Sequence, residues 1–110
     1  MSELETLGLD NEIIQEFVEE TLLGLDALQP TLLRLEEEGI PGIDAVFRWV
    51  HTVKGTSGFL NLLDLQGFAH KYENFLQKLK GGSAEELTHE RLSLVSEGVD
   101  LINDVLQNLR

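Results

Sequence analysis

The stretch IDAVFRWVHTVKGTSGFL, residues 43–60, decides how this chain folds. Its apolar residues do not alternate, as a half-buried strand requires. Ile43, Val46, Phe47, Val50, Val53 and Leu60 recur with the period of an amphipathic helix. Ser57 stands at the position missing from that stripe. Pro41 or Gly42 opens the helix, since proline is tolerated in a first turn where its absent N–H costs nothing. The segment is therefore expected to be helical over roughly 42–60.

The same period governs both flanks. Upstream, Ile14, Val18, Leu22, Leu25, Leu28, Leu32 and Leu35 recur every three or four residues, with Ile13 and Phe17 widening the stripe. This predicts a helix over about 10–38, capped by Asp10 or Asn11 and stopped at Gly39. Pro30 falls in its middle. Continuity of the pattern predicts a kinked helix through it, with a break as the competing reading. Downstream, Asn61 to Asp64 forms a short turn, with Asp64 as the cap. Leu65, Phe68, Ala69, Tyr72, Phe75, Leu76 and Leu79 then trace a helix over 64–80 that ends at Gly81 and Gly82. Ser83 and Glu86 have the spacing of a capping box. They predict a last helix over 84–109 through Leu87, Leu92, Val95, Val99, Ile102, Leu106 and Leu109. Four amphipathic helices with short connections imply an all-α fold, an antiparallel up-down four-helix bundle, in a single domain over 1–110.

Composition narrows the function. Twenty acidic residues against eight basic ones give a net charge of −12. That argues against nucleic acid and anionic membranes as partners, and is compatible with a basic or mixed protein surface. Cysteine is absent, so thiolate chemistry and Cys-based metal sites are excluded. The apolar runs fall far short of the roughly 20 residues that a membrane span needs. The start, MSELETLGLDNE, lacks the basic-then-apolar order of a signal peptide, which sets a cytoplasmic location as the expectation.

His51 is the candidate reactive centre. Lys54, Gly55 and Gly58 follow it at three, four and seven residues, so all four share one helix face, turned away from the buried stripe. A mid-helix glycine costs about 1 kcal/mol against alanine. Two of them beside a histidine suggest a bare surface that a partner can approach closely, with Phe59 as a further contact. A phosphoryl acceptor needs one imidazole nitrogen to attack and the other to be held by a carboxylate. His70 and Glu73 share a face of the next helix. If the two helices are antiparallel neighbours, Glu73 reaches Nδ1 of His51 and leaves Nε2 as the nucleophile. Lys54 then offsets phosphate charge. No metal site is expected: bundle di-metal centres need a Glu-x-x-His pattern on two helices, whereas His70 and Glu73 give the reverse order once. GTSG lies inside a helix and lacks the ending of a phosphate-binding loop, so no cofactor is expected either.

The segment FRWVHTVKGTSGFLNL, residues 47–62, resembles the phosphoacceptor segment of histidine-containing phosphotransfer domains, most closely the N-terminal domain of chemotaxis-type histidine kinases. His51, Thr52, Val53, Lys54 and Gly55 match the family pattern in order. AHKYENFL, residues 69–76, supplies the family's histidine and glutamate on the next helix as His70 and Glu73. The resemblance implies that His51 accepts phosphate from the ATP-binding domain of a histidine kinase. It then donates it to an aspartate of a response-regulator receiver domain in chemotaxis signalling. It further implies a helical bundle, monomeric as an isolated domain, that belongs to a protein histidine kinase but has no ATP site of its own. His51 and Glu73 would be the main site residues, with Lys54 and His70 supporting them and Gly55, Gly58 and Phe59 meeting the partner. The alternative is a non-catalytic helical interaction module. Such a module has no need of the lysine, glycine and carboxylate gathered around His51.

Overall fold

The computed structural model describes residues 11–110, so the expected Asp10 cap lies outside the described residues. Helix α1 spans Asn11–Leu33, α2 Leu35–Glu38, α3 Ile40–Phe59, α4 Leu63–Lys80 and α5 His89–Leu109, with a single 3-10 turn at Ala84–Glu86. The architecture is all-α, an up-down bundle of the four long helices with α2 as a short appendix to α1.

Each long helix turns its apolar stripe inward. Val18, Ile43, Val46, Val50, Val53, Leu60, Leu76, Val95, Ile102 and Leu106 are essentially free of solvent and form one continuous core. Ser57 is equally buried and fills its place in the α3 stripe by donating its hydroxyl to the Lys54 carbonyl at 3.1 Å.

Side-chain contacts fix the relative placement of the helices. Asp44 meets Lys80, His51 meets Glu73, and Gly58 faces Gln66, so each seven-residue step along α3 is matched by seven residues back along α4. This is an antiparallel pair held in one register for almost its whole length. Gln15 of α1 donates to the Leu109 carbonyl of α5 at 2.7 Å, so the start of α1 lies beside the end of α5. Across α1 and α3 the Trp49 indole N–H donates to the Thr21 carbonyl at 3.1 Å. Its ring passes so close to Gly24 that a β-carbon there would lie 3.2 Å away. Gly98 plays the corresponding part in α5: the Tyr72 ring occupies the space of a side chain, and the Tyr72 hydroxyl donates to the Val95 carbonyl. Burial pushes the Tyr72 hydroxyl pKa well up, so it stays a donor.

The local details differ from expectation in three places. The first helix does run through Pro30, but it is interrupted at Arg34 before resuming as α2. The Arg34 amide bonds to the Thr31 carbonyl, three residues back, which tightens the turn and ends α1 at Leu33, three residues after the proline. Gly39, at φ +63° and ψ −139°, then reverses the chain in a conformation open to glycine. Asp64 is not a cap. Helix α4 begins at Leu63 after Leu62, with no side-chain cap, and Asp64 lies in its first turn. The Ser83–Glu86 capping box does not form. The Glu86 amide bonds to the Ser83 backbone carbonyl instead, closing the 3-10 turn. Leu87 leaves the helical conformation, and Thr88 opens α5 by accepting the Arg91 amide on its side chain at 3.2 Å.

Candidate functional site

Position 51 falls on α3 one residue after Val50 of the core stripe, which carries the His51 ring to the edge of the bundle. The side chain is 63% exposed. Glu73, on the facing side of α4, is only 11% exposed and inserts its carboxylate between two donors. His51 Nδ1 lies 2.6 Å from Oε2, and Lys54 Nζ lies 2.8 Å from Oε1. Burial by itself raises the Glu73 pKa. The hydrogen bonds from Lys54 and His51 and the attraction to both groups outweigh it and hold the carboxyl below its usual range.

That balance sets the histidine tautomer. An ionised carboxylate can only accept, so Nδ1 carries the proton. In the neutral ring, Nε2 then holds the lone pair and faces away from Glu73. When Nε2 forms a bond to an electrophile, the ring becomes a cation with its remaining N–H on Glu73, and the carboxylate stabilises the charge where it develops. The arrangement can therefore support a nucleophilic imidazole.

A second cluster lies one to two turns toward the start of α3. Phe47 stacks on His51, with centroids 6.2 Å apart and planes inclined by 16°. Lys80 places its ammonium 4.0 Å from the centre of the Phe47 ring. Asp44 receives Lys80 at 2.6 Å and Arg48 at 2.9 Å. Sequence reasoning placed Phe47 in the core stripe and missed this cluster. The i, i+4 spacing of Phe47 and His51 was the available signal.

The other site candidates separate. His70 is exposed and makes no hydrogen bond or ion pair with the described residues. It lines a shallow cleft of about 440 Å³ with Lys54, Leu63, Gln66 and Gly67. Gly55 is open, with nothing near where a β-carbon would lie. Gly58 is different: a β-carbon there would lie 2.4 Å from Gln66 Nε2, so a side chain of α4 already covers it. Phe59 is 81% exposed at the end of α3. His89 lies far along the chain on α5, with Nδ1 3.3 Å from Glu36.

Charge is unevenly distributed. Arg48, Lys54, Lys71, Lys78 and Lys80, five of the eight basic residues, lie on α3 and α4, where they outnumber the acidic residues. Helix α1 carries acidic residues and no basic one. The face around His51 is thus the least negative part of a strongly negative chain. Among the described residues no cluster of three or more His, Asp or Glu side chains is placed to hold a metal ion, and no helix is long and apolar enough to cross a membrane.

The model of the Hpt domain family matches residues 12–110. The chain belongs to the Hpt domain family. Its role therefore lies in a His–Asp phosphorelay. Among curated proteins, this Hpt domain is 31% identical over 104 residues to the chemotaxis protein CheA of Halobacterium salinarum, covering 91% of the chain and 15% of that protein. It is 31% identical over 101 residues to the sensor histidine kinase CheAY of Helicobacter pylori, covering 90% and 12%. It is 29% identical over 106 residues to CheA of Borreliella burgdorferi, covering 94% and 12%. The Hpt domain thus spans a small part of the length of these relatives and resembles their phosphoacceptor region. No solved structure gives a significant match.

Proposed function

We propose that His51 is the phosphoacceptor of this Hpt domain. Its Nε2 attacks the γ-phosphorus of ATP bound to the ATP-binding domain of a histidine kinase. The P–N bond forms as the P–O bond to ADP breaks. The phosphoryl group then passes to an aspartate of a response-regulator receiver domain in chemotaxis signalling, and the neutral ring returns. The observation that carries this reading is the 2.6 Å contact between Nδ1 and Glu73, combined with an imidazole open to solvent.

The remaining site residues follow from that assignment. Glu73 orients the ring and stabilises the cation. Lys54 keeps Glu73 ionised and adds positive charge beside the phosphoryl group. His70 borders the cleft through which a partner approaches. Gly55 and Phe59 offer a low surface with an apolar contact at its edge. The protein that contains this domain acts in the cytoplasm, and the isolated domain is a monomer.

The test is phosphorylation from γ-labelled ATP with a histidine kinase ATP-binding domain present. Wild type is expected to take up a label that is stable in base and lost in acid, and to give it up to a receiver domain. The His51→Gln variant is expected to take up none. An acid-stable label, or undiminished labelling of His51→Gln, would overturn the assignment.

A further inference from the structure

A phosphoryl group on Nε2 brings nearly two negative charges to a molecule whose net charge is already −12. Lys54 is not free to meet them. Its ammonium is held by Glu73 at 2.8 Å, and leaving would strip a largely buried carboxylate of one of its two partners. Lys80 is held twice, by Asp44 and by the face of Phe47. Arg48 is held once. Its Nη2 meets Asp44 Oδ2 at 2.9 Å, with the side chain 79% exposed against 23% for Lys80. An exposed pair of that kind contributes little, and Asp44 keeps Lys80 when Arg48 departs. Lys80 is also the main influence holding the Asp44 carboxyl below its usual range, ahead of Arg48. Arg48 precedes His51 by three residues, so the two exposed side chains are neighbours on one helix surface.

We infer that Arg48 is the phosphoryl-binding cation of this site: once His51 is phosphorylated, Arg48 leaves Asp44 and binds the phosphoryl oxygens while Lys54 stays on Glu73. The inference rests on His51 being the phosphoacceptor. The planar guanidinium matches phosphoryl oxygens with two parallel N–H donors and keeps its charge at any working pH. Asp44, seven residues before His51, is its resting partner and keeps the guanidinium on the helix surface that leads to the imidazole. The charged or titratable groups on this side are Asp44, Arg48 and Lys54 on α3, Glu73 and Lys80 on α4, His70 of α4 in the cleft beside Lys54, and Glu20 of α1, which lines a groove with Trp49 and Thr52. Of these, Arg48 alone combines positive charge, exposure and a single weak tether.

The experiment uses phosphoramidate, whose phosphoryl group bonds to an imidazole nitrogen as ammonia leaves, so no protein partner is needed. Phosphorus NMR follows the phosphohistidine resonance that is absent from His51→Gln. The rate of its appearance and its pH titration are compared for wild type, Arg48→Ala, Arg48→Lys, Asp44→Asn and the distant control Lys78→Ala. Loss of the cation is expected to slow phosphorylation of Arg48→Ala about three- to tenfold and to raise the phosphoryl titration by about half a pH unit. Arg48→Lys should recover part of both effects. Asp44→Asn frees Arg48 and should react at least as fast as wild type. If Arg48→Ala matches wild type in rate and titration, the inference is wrong. It is equally wrong if Asp44→Asn is as slow as Arg48→Ala, which would mark the pair as a structural staple. A wild-type domain with no His51-dependent resonance would instead overturn the phosphoacceptor assignment, and this inference with it.

Discussion

Glu73 crosses from α4 to α3 to place one carboxylate oxygen 2.6 Å from Nδ1 of His51 while its other oxygen holds Lys54. The contact fixes which imidazole nitrogen carries the proton, and the proposed role of His51 rests on it. Replacing Glu73 with Gln keeps the shape but removes the charge. A hydrogen bond to a charged group contributes about 1.5–3 kcal/mol, so phosphorylation of Glu73→Gln should slow roughly ten- to a hundredfold. Nitrogen NMR of the imidazole should show a reduced share of the Nδ1–H tautomer. An unchanged rate together with an unchanged tautomer would show that the contact does not matter to reactivity.

The same contact predicts how stability responds to acid. Glu73 has its folded pKa depressed by Lys54 and His51 despite its burial. Such a group contributes stability in full above its unfolded pKa of about 4.3, and loses it as pH falls through the lower folded value. The stability difference between wild type and Glu73→Gln in urea unfolding should therefore shrink progressively below about pH 4. A difference that grew in acid would contradict the depressed pKa.

Gly55 separates docking from packing. Open space surrounds it one turn before the end of α3, so alanine meets no obstacle. Gly55→Ala should raise stability by about 0.5–1 kcal/mol through the gain in helix propensity. Gly55→Trp should fold as well, yet transfer phosphate to a receiver domain much more slowly, because the bulk stands where the partner must approach. Equal transfer rates for both variants would remove Gly55 from the docking surface.

The start of α5 offers a test of local structure. Thr88 caps it, and Ser83 does not. Thr88→Ala should cost about 1 kcal/mol in thermal unfolding. Ser83→Ala should change stability by no more than about 0.5 kcal/mol. The reverse order would restore the capping box as the true start of the helix.

The helices were legible because each long one repeats its apolar residues with one period, and Ser57 alone stands in for an apolar residue in the α3 stripe. The pairing of His51 with Glu73 was legible because an antiparallel neighbour brings His70 and Glu73 to the facing side. Three features were hidden for a shared reason: they depend on where a long side chain ends after crossing between helices. Gln66 covers Gly58, Lys80 lies over Phe47, and the Tyr72 ring fills the place of a side chain at Gly98. Spacing along one helix carries no signal for these. Net charge concealed a fourth, because the acid on α1 and α5 outweighs the cations collected on α3 and α4. The choice between Ser83 and Thr88 turned on a single residue, Leu87, whose backbone leaves the helical range and moves the true start five residues on.

Trp49, which donates its indole N–H to the Thr21 carbonyl two residues before His51, is the chain's one tryptophan. The domain thus carries a native fluorophore at the seam between α1 and α3. Its emission will report separation of that seam without any label, and a shift on phosphorylation would mean that chemistry at the outer edge of α3 is felt on its inner side.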